Sequence, residues 1–188
     1  MIAVMQDLLV FPGGDYWSLP SEGRWEVVRE RAVLLPPNDG RHQEVCDELL
    51  AILRAQLRPR RLGHANSAIG VRIEPWPEAE SEIHTRIPDI VVCRRKPDQW
   101  FSIGSPPELA IEVLSTRRGN VQRTEKLDDY ARAGIAEYWV VSPFDRNVEV
   151  YRLREGDYVL VSTERERLRP GDFPGVAINL AEIWSVLE

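Results

Sequence analysis

The sequence has very few cysteines, and this scarcity excludes the classes of domain that depend on them. Cys46 and Cys93 are the only two among 188 residues. No CxxC pair or cysteine–histidine cluster predicts a structural zinc site. Both cysteines lie among apolar residues, which predicts free, buried thiols in a reducing compartment rather than a disulfide framework. Internal repeats and low-complexity segments are also missing, so a repeat architecture is excluded.

Long apolar runs and an excess of basic residues are equally absent. The N-terminal segment lacks the basic start and apolar core of a signal peptide, and no apolar stretch is long enough to span a bilayer. We therefore expect a cytoplasmic protein without a membrane partner. The 24 lysines and arginines are outnumbered by 30 acidic residues, giving a net charge of −6. This balance argues against strong non-specific DNA binding but leaves a local nucleic-acid-binding patch open.

The sequence does contain clear helix and strand patterns. Strand-forming residues over 25–35 flank a short charged segment, which predicts a hairpin. A helix is predicted over 41–57 from apolar residues at three- and four-residue spacing, after a cap at Asn38 or Asp39. A second helix is predicted over about 120–133. Core strands are predicted over residues 68–74, 87–94, 108–115 and 136–143, followed by a C-terminal hairpin and a short helix.

This order of elements predicts an α/β fold. The helix between the third and fourth core strands indicates a crossover, and crossovers produce mixed sheets covered by helices. We expect one domain over residues 1–188, with a mixed central sheet flanked by helices and β-hairpin additions at both ends. Residues 1–24, which are punctuated by glycine and proline, are expected to form an N-terminal surface extension.

Two acidic residues fall inside predicted core strands. Asp89 follows Pro88, and Glu112 lies in the middle of "ELAIEVLS". Because a buried, unpaired carboxylate costs several kcal/mol, each acid needs a partner. If the two strands are neighbours, the carboxylates repel unless a cation lies between them. Mg²⁺ favours such oxygen ligands, and the backbone carbonyl of Val113 is a candidate third ligand.

A cation is predicted to come from the second helix. Lys126, in "RTEKLDDY", lies one turn before Tyr130 on the flank of the apolar face. A lysine beside a metal-bound water can position the water or stabilise a developing oxyanion. Together with Asp89 and Glu112 it would suit metal-assisted hydrolysis of a phosphodiester. The alternative is a buried ion pair of Glu112 with Arg72 or Lys126 and no metal.

The motifs "PD", "EVL", "EK" and "YARAGIAEYWVV", in this order, resemble the bacterial Uma2 family of restriction-endonuclease-fold proteins. The resemblance runs from about residue 25 to the C-terminal tail. That family is similar to the PD-(D/E)XK nucleases, in which an Asp and a Glu bind Mg²⁺ or Mn²⁺ and a Lys usually follows two residues after the Glu. Here that position is Leu114, and the resemblance implies that Lys126 supplies the lysine. It further implies an endonuclease acting on nucleic acid, with DNA as the expected substrate and a homodimer as a possible assembly.

Other positions carry over more loosely. Glu26 matches a glutamate of the family and is interpreted either as a strand-end surface charge or as a third acid near the metal. His42 matches a histidine at the start of the first helix, and is either a satisfied core histidine or an active-site residue. Arg117, Arg118 and Arg123 are interpreted either as phosphate contacts or as part of a solvated loop.

The sequence leaves three functions open. Besides a metal-dependent endonuclease, a nuclease fold that has lost catalysis can serve as a binding or dimerisation module, and the acidic net charge fits that alternative. A metal-dependent phosphohydrolase acting on nucleotides is the third. Metal binding distinguishes the endonuclease from the binding module, and turnover of mononucleotides identifies the phosphohydrolase.

Overall fold

The computed structural model describes most of the chain, and the fold is given for these stretches. They are residues 9–10, 19, 22–28, 31–35, 39–73, 84–96, 101, 104–116 and 120–188, with the backbone alone at 9–10 and 120–123. In chain order the elements are β1 (Leu9–Val10), β2 (Arg24–Val28), β3 (Arg31–Leu35), α1 (Gly40–Leu57), β4 (His64–Ser67), β5 (Val71–Arg72), β6 (Thr85–Arg86), β7 (Ile90–Cys93), β8 (Leu109–Val113), α2 (Asn120–Arg132), β9 (Glu137–Ser142), β10 (Asn147–Arg154), β11 (Asp157–Glu164), β12 (Arg167–Leu168), β13 (Ile178–Asn179) and α3 (Leu180–Ser185).

A six-stranded mixed sheet forms the centre of the fold. Its strand order is β11-β10-β9-β8-β7-β4. β8 and β9 are parallel, because α2 carries the chain back across the sheet between them, whereas the other neighbours are antiparallel. The predicted mixed α/β sheet with flanking helices is thus confirmed. The predicted C-terminal hairpin is β10–β11, which continues the central sheet as its outer strands.

The central strands β7, β8 and β9 are buried along their whole length. Successive side chains of a strand point to opposite faces. Ile111 therefore packs in a core with α1 and α3, while Ala110 packs in a second core with Tyr130 of α2. Glu112 follows Ala110 by two positions, so its side chain belongs to the face that α2 covers.

A smaller antiparallel sheet lies beside the central one and holds the N-terminal hairpin. Its strand order is β1-β3-β2-β6-β5. The predicted hairpin is confirmed as β2–β3, with Val28 paired to Arg31. Of the expected N-terminal extension over 1–24, Leu9–Val10 pairs with β3, and most of the rest lies outside the described residues. No helix in the described stretches is long and apolar enough to cross a membrane.

Both predicted helices are present, and local chemistry explains their ends. The Asp39 side chain caps α1 by accepting a hydrogen bond of 2.8 Å from the His42 N–H. Soon after the last residue of α2, Gly134 adopts a φ of +78°, a conformation that glycine takes without steric cost and that commonly follows a helix.

One predicted strand is shorter than expected and lies in the other sheet. Among the described residues 68–73 only Val71–Arg72 is a strand, and it belongs to the smaller sheet. The place beside β7 is taken by β4, whose sequence "HANS" is short and lacks the apolar alternation that indicates a strand. Pairing with β7 along four positions stabilises this segment, so its structure depends on its neighbour rather than on its own residues.

Candidate active site

Asp89 and Glu112 come together at one end of the central sheet. Ile90 of β7 pairs with Ile111 of β8 in an antiparallel ladder. The residue before Ile90 therefore lies opposite the residue after Ile111, which places Asp89 and Glu112 opposite each other. Residues opposite each other in antiparallel strands lie on the same face. The Val113 N–H donates a hydrogen bond of 2.9 Å to Oδ2 of Asp89, which holds that carboxylate against the end of β8.

Two side chains of α2 bind one oxygen of Glu112. The Tyr130 hydroxyl donates to Oε1 at 2.6 Å, and Nζ of Lys126 lies 2.7 Å from the same atom. Lys126 and Tyr130 are four residues apart and therefore share one helix face. Burial, with smaller contributions from Asp89 and Glu26, raises the pKa of Glu112 to about 7 even though Lys126 opposes the shift. Of the two partners expected for Glu112, the structure selects Lys126, since Arg72 is exposed.

Lys126 is held in its charged form at this site. Its side chain is only 17% exposed, and burial favours the neutral amine. The carboxylates of Glu112, Glu26 and Asp89 outweigh that effect and raise the pKa of Lys126 above its ordinary value. The ammonium group of Lys126 therefore gives the site a positive charge of its own.

Asp89 is bound on its other side by the first helix. Nε2 of His42 lies 3.0 Å from Oδ2 of Asp89. Burial favours the neutral carboxyl, but the interactions with His42, and then with Lys126 and the Val113 N–H, lower the pKa of Asp89 below its ordinary value. His42 is thus a buried core histidine, and its ring also contacts a proposed metal ligand. A role of His42 in the active site stays a prediction.

The donor set fits a hard divalent cation. One oxygen of each carboxylate, Oδ2 of Asp89 and Oε1 of Glu112, is bound by protein groups. In the part of the chain that the structure describes, Oδ1 of Asp89 has only the guanidinium of Arg24 at 4.0 Å, beyond hydrogen-bond distance, and Oε2 of Glu112 has no protein donor. Carboxylate oxygens of this kind are the ligands that Mg²⁺ and Mn²⁺ prefer. A contribution of the Val113 carbonyl stays a prediction.

Glu26 lies behind this site in a buried network of charges. It sits in the middle of β2 with 1% exposure, so the interpretation as a surface charge at a strand end is wrong. Its Oε2 binds Nη1 of Arg86 at 2.9 Å, and Nε of Arg86 binds Oδ2 of Asp129 at 2.6 Å. His84 completes the network, with Nε2 at 3.2 Å from Oδ1 of Asp129. The main partner of Glu26 is therefore Arg86.

Sequence reasoning missed several residues of this region. Arg86, His84 and Asp129 were not recognised, because their partners come from distant parts of the chain. The proximity of His42 and Cys46 was also missed. Cys46 lies one turn after His42, with Sγ at 3.6 Å from Nδ1, and both are grouped with Asp89. Burial, then the charge of Asp89, raises the pKa of the Cys46 thiol well above its ordinary value.

The three arginines predicted to contact phosphates are not placed by the structure. Arg117 and Arg118 lie outside the described residues. Arg123 belongs to α2 by its backbone, but its side chain is outside the description.

Cys93 is described, and like Cys46 it is a free, buried thiol as predicted.

Comparisons with known proteins bear on the family and the fold. The family profile of Uma2, "Putative restriction endonuclease", matches residues 12–181. Among solved structures, that of "a putative nuclease belonging to DUF820 from Anabaena variabilis ATCC 29413" superposes with a TM-score of 0.73 at 19% sequence identity, covering 92% of this chain and 97% of that one. At that identity the likeness concerns the fold. Comparison with curated proteins finds no match. Since the family match spans most of the chain and confirms the resemblance of its motifs, the protein belongs to the Uma2 family.

Proposed function

We propose that this protein is an endonuclease that uses Mg²⁺ or Mn²⁺ to hydrolyse phosphodiester bonds of nucleic acid, with DNA as the substrate. The observation that carries the proposal is the pair of acids beside a charged lysine: Glu112 is buried in β8, and Asp89, with a side chain 10% exposed, lies opposite it just before β7. Membership of a family described as restriction endonucleases supports the same reaction class. A cytoplasmic location, which the sequence leads us to expect, and a homodimer, which the family resemblance implies, are further parts of this proposal.

Each residue of the site has a role in this proposal. Asp89 and Glu112, with the Val113 carbonyl, would hold the metal ion, which when bound acts as a Lewis acid and lowers the pKa of its water. The charged amine of Lys126 would orient the attacking water and stabilise negative charge developing on the phosphate. His42 and the Val113 N–H keep Asp89 in place through Oδ2, as Lys126 and Tyr130 keep Glu112 in place through Oε1.

Residues around the site would support these roles. Glu26 would act through Arg86, which binds Asp129 of α2 and so sets the position of the helix that carries Lys126. Arg117, Arg118 and Arg123 would hold the phosphates of the substrate in register, as the sequence suggests. Positive side chains used in this way bind the backbone without reading the base sequence.

A specific observation favours the alternative, a nuclease fold without catalysis. The Lys126–Glu112 ion pair satisfies the buried acid without any metal, and the net charge of −6 disfavours a nucleic-acid partner. In that case the protein would serve as a binding or dimerisation module.

Calorimetric titration with Mg²⁺ and Mn²⁺, together with cleavage of plasmid, single-stranded DNA and RNA, tests the proposal. The parent should bind metal and cleave. Asp89→Asn and Glu112→Gln should lose metal binding, and Lys126→Met should retain it while cleaving at least about 100-fold more slowly. Glu44→Gln, at an exposed position of α1, is the matched control and should behave as the parent. A parent that binds neither ion would refute the enzyme, and turnover of mononucleotides alone would identify a phosphohydrolase.

A further inference from the structure

A second group of metal-binding side chains overlaps the acidic pair. His42 and Cys46 lie one turn apart on the buried face of α1, and Asp89 faces them from the end of β7. Nε2 of His42 is 3.0 Å from Oδ2 of Asp89 and 3.9 Å from Sγ of Cys46. The donor atoms of all three residues lie within 4.8 Å of one another. Asp89 therefore belongs to two candidate ligand sets.

The chemistry of this second set differs from that of the first. One imidazole, one thiol and one carboxylate suit Zn²⁺ and similar borderline ions, whereas Mg²⁺ takes neither thiolate nor imidazole readily. Donors around a tetrahedral Zn²⁺ are about 3.3 to 3.6 Å apart for the usual bond lengths. The distances of 3.0 and 3.9 Å bracket this range. Small side-chain adjustments would therefore place the three donors around one ion, with the fourth position open to water.

The position of the three residues in the fold supports a real site rather than a chance surface cluster. His42 and Cys46 are 3% and 6% exposed, so their donor atoms are held by the packing of α1 against the sheet. The side chain of Asp89 is 10% exposed, so of the three ligands it has the most contact with solvent. The α1 backbone is in turn anchored by the Asp39 cap at His42.

We propose that His42, Cys46 and Asp89 bind a borderline transition-metal ion of the Zn²⁺ type, and that this ion inhibits the enzyme by taking Asp89 away from the Mg²⁺ site. Binding needs only these three residues, with the thiol proton released to solvent as the thiolate coordinates the ion. The inhibition rests on the proposed nuclease function, because it requires Asp89 to be a ligand of the catalytic metal. The two parts are therefore tested separately.

Titration of the metal-free protein with Co²⁺, followed by competition with Zn²⁺, tests the binding. The parent should develop the near-ultraviolet absorption of a cobalt–thiolate bond at one equivalent, and Zn²⁺ should remove it. Cys46→Ser should abolish the band, and His42→Gln should weaken metal affinity at least about tenfold. Cys93→Ser is the matched control, because Cys93 is the other buried thiol, and should keep the band. A parent without the band, or a band lost in Cys93→Ser and kept in Cys46→Ser, would overturn the site.

The inhibition is measured as the ratio of Mg²⁺-supported cleavage with and without Zn²⁺ for each variant. Zn²⁺ should suppress cleavage by the parent and by Cys93→Ser, and at least about tenfold more Zn²⁺ should be needed for Cys46→Ser. Glu112→Gln should keep the cobalt band, since Glu112 is not one of the three ligands. A band without any cleavage under Mg²⁺ would contradict the nuclease and leave the zinc site supported. Cleavage that Zn²⁺ suppresses equally in the parent and Cys46→Ser would overturn the inhibition.

Discussion

One carboxylate oxygen of Glu112, Oε1, is bound by two donors of α2. Lys126 supplies charge and Tyr130 supplies a hydroxyl, both within 2.7 Å of Oε1. This arrangement leaves Oε2 without a protein donor among the described residues. Removing one member of a buried ion pair is usually far more harmful than replacing both, because it leaves an uncompensated charge. The energetic role of the pair therefore differs from its catalytic role and can be measured without substrate.

Lys126→Met should lower the free energy of unfolding of the metal-free protein by about 2 to 4 kcal/mol at pH 8. Without Lys126, the pKa of Glu112 rises beyond about 7. An acid whose folded pKa is raised costs stability as the pH rises from its unfolded value to its folded value. The loss should therefore be much smaller at pH 5, where Glu112 is protonated, and adding Glu112→Gln should recover most of it at pH 8.

Urea denaturation of the single and double variants at both pH values measures these effects. Lys96→Met is the matched control, since Lys96 is the only other lysine and is exposed. An equal loss at pH 5 and pH 8 would mean that Lys126 acts through packing of its side chain, and not through the charge of Glu112.

The helix α1 positions His42 and Cys46, and the connection after it fixes where β4 joins the sheet. Gly63 lies in this connection, between the end of α1 and β4. A Cβ atom at Gly63 would lie 2.5 Å from the carbonyl oxygen of Cys93 and 3.0 Å from the ring of Phe173. The close approach of β4 to β7 therefore requires glycine here. By contrast, a Cβ at Gly40, the first residue of α1, has no atom within 4 Å.

Gly63→Ala should destabilise the protein by about 1 to 3 kcal/mol, because the backbone carbonyl of Cys93 cannot move without disturbing β7. Gly40→Ala, the matched control, should be neutral or stabilise by up to about 1 kcal/mol, since alanine has the lower entropy cost in a helix. Urea denaturation of both variants gives the comparison. Similar stability of the two would show that β4 can shift to admit a methyl group.

Across the whole molecule, Arg86 connects the smaller sheet to the helix that carries Lys126. It contacts Glu26 of β2 and Asp129 of α2 at hydrogen-bond distance, and all three are buried. The charges of Glu26 and Asp129 raise the pKa of Arg86 even though burial opposes its charged form, so the guanidinium stays charged. The smaller sheet is therefore joined to α2 by a buried ionic contact in addition to apolar packing.

Arg86→Met should destabilise the protein by about 3 to 5 kcal/mol at neutral pH, because Glu26 and Asp129 are left without their common partner. Burial favours a neutral Asp129, but His84 and Arg86 outweigh it and lower its pKa below the ordinary 3.8. A lowered acid pKa contributes stability above the unfolded value that is lost as the pH falls. The difference between parent and variant should therefore shrink below about pH 3.8.

Chemical denaturation at pH 7 and pH 3 measures this difference in stability. The triple variant that combines Arg86→Met with Glu26→Gln and Asp129→Asn should recover much of the stability lost in Arg86→Met. Arg72→Met, at an exposed position of the adjacent strand β5, is the control and should change little. If the combined variant were less stable than Arg86→Met alone, the carboxylates would have other partners that matter more.

Much of the fold could be predicted because helices and buried strands have local signatures. The apolar spacing of α1, its Asp39 cap and the continuous apolar strands β8 and β9 are all properties of neighbouring residues. The strand β4 could not be predicted, since "HANS" has no such pattern and depends on pairing with β7. For the same reason a core strand was predicted over 68–74, whereas the strand that pairs with β7 is β4.

The order of residues alone was sufficient for the α/β class, for Glu112 in a core strand with Asp89 beside another, and for the family, because each of these depends on local pattern or motif spacing. Tertiary contacts decided which groups those acids meet. Glu112 binds Lys126 rather than Arg72, Glu26 is buried against Arg86, and Asp89 lies between Glu112 on one side and His42 with Cys46 on the other. These partners come from different strands and helices. Their meeting depends on strand register and helix packing, which the periodicity of any one segment does not contain.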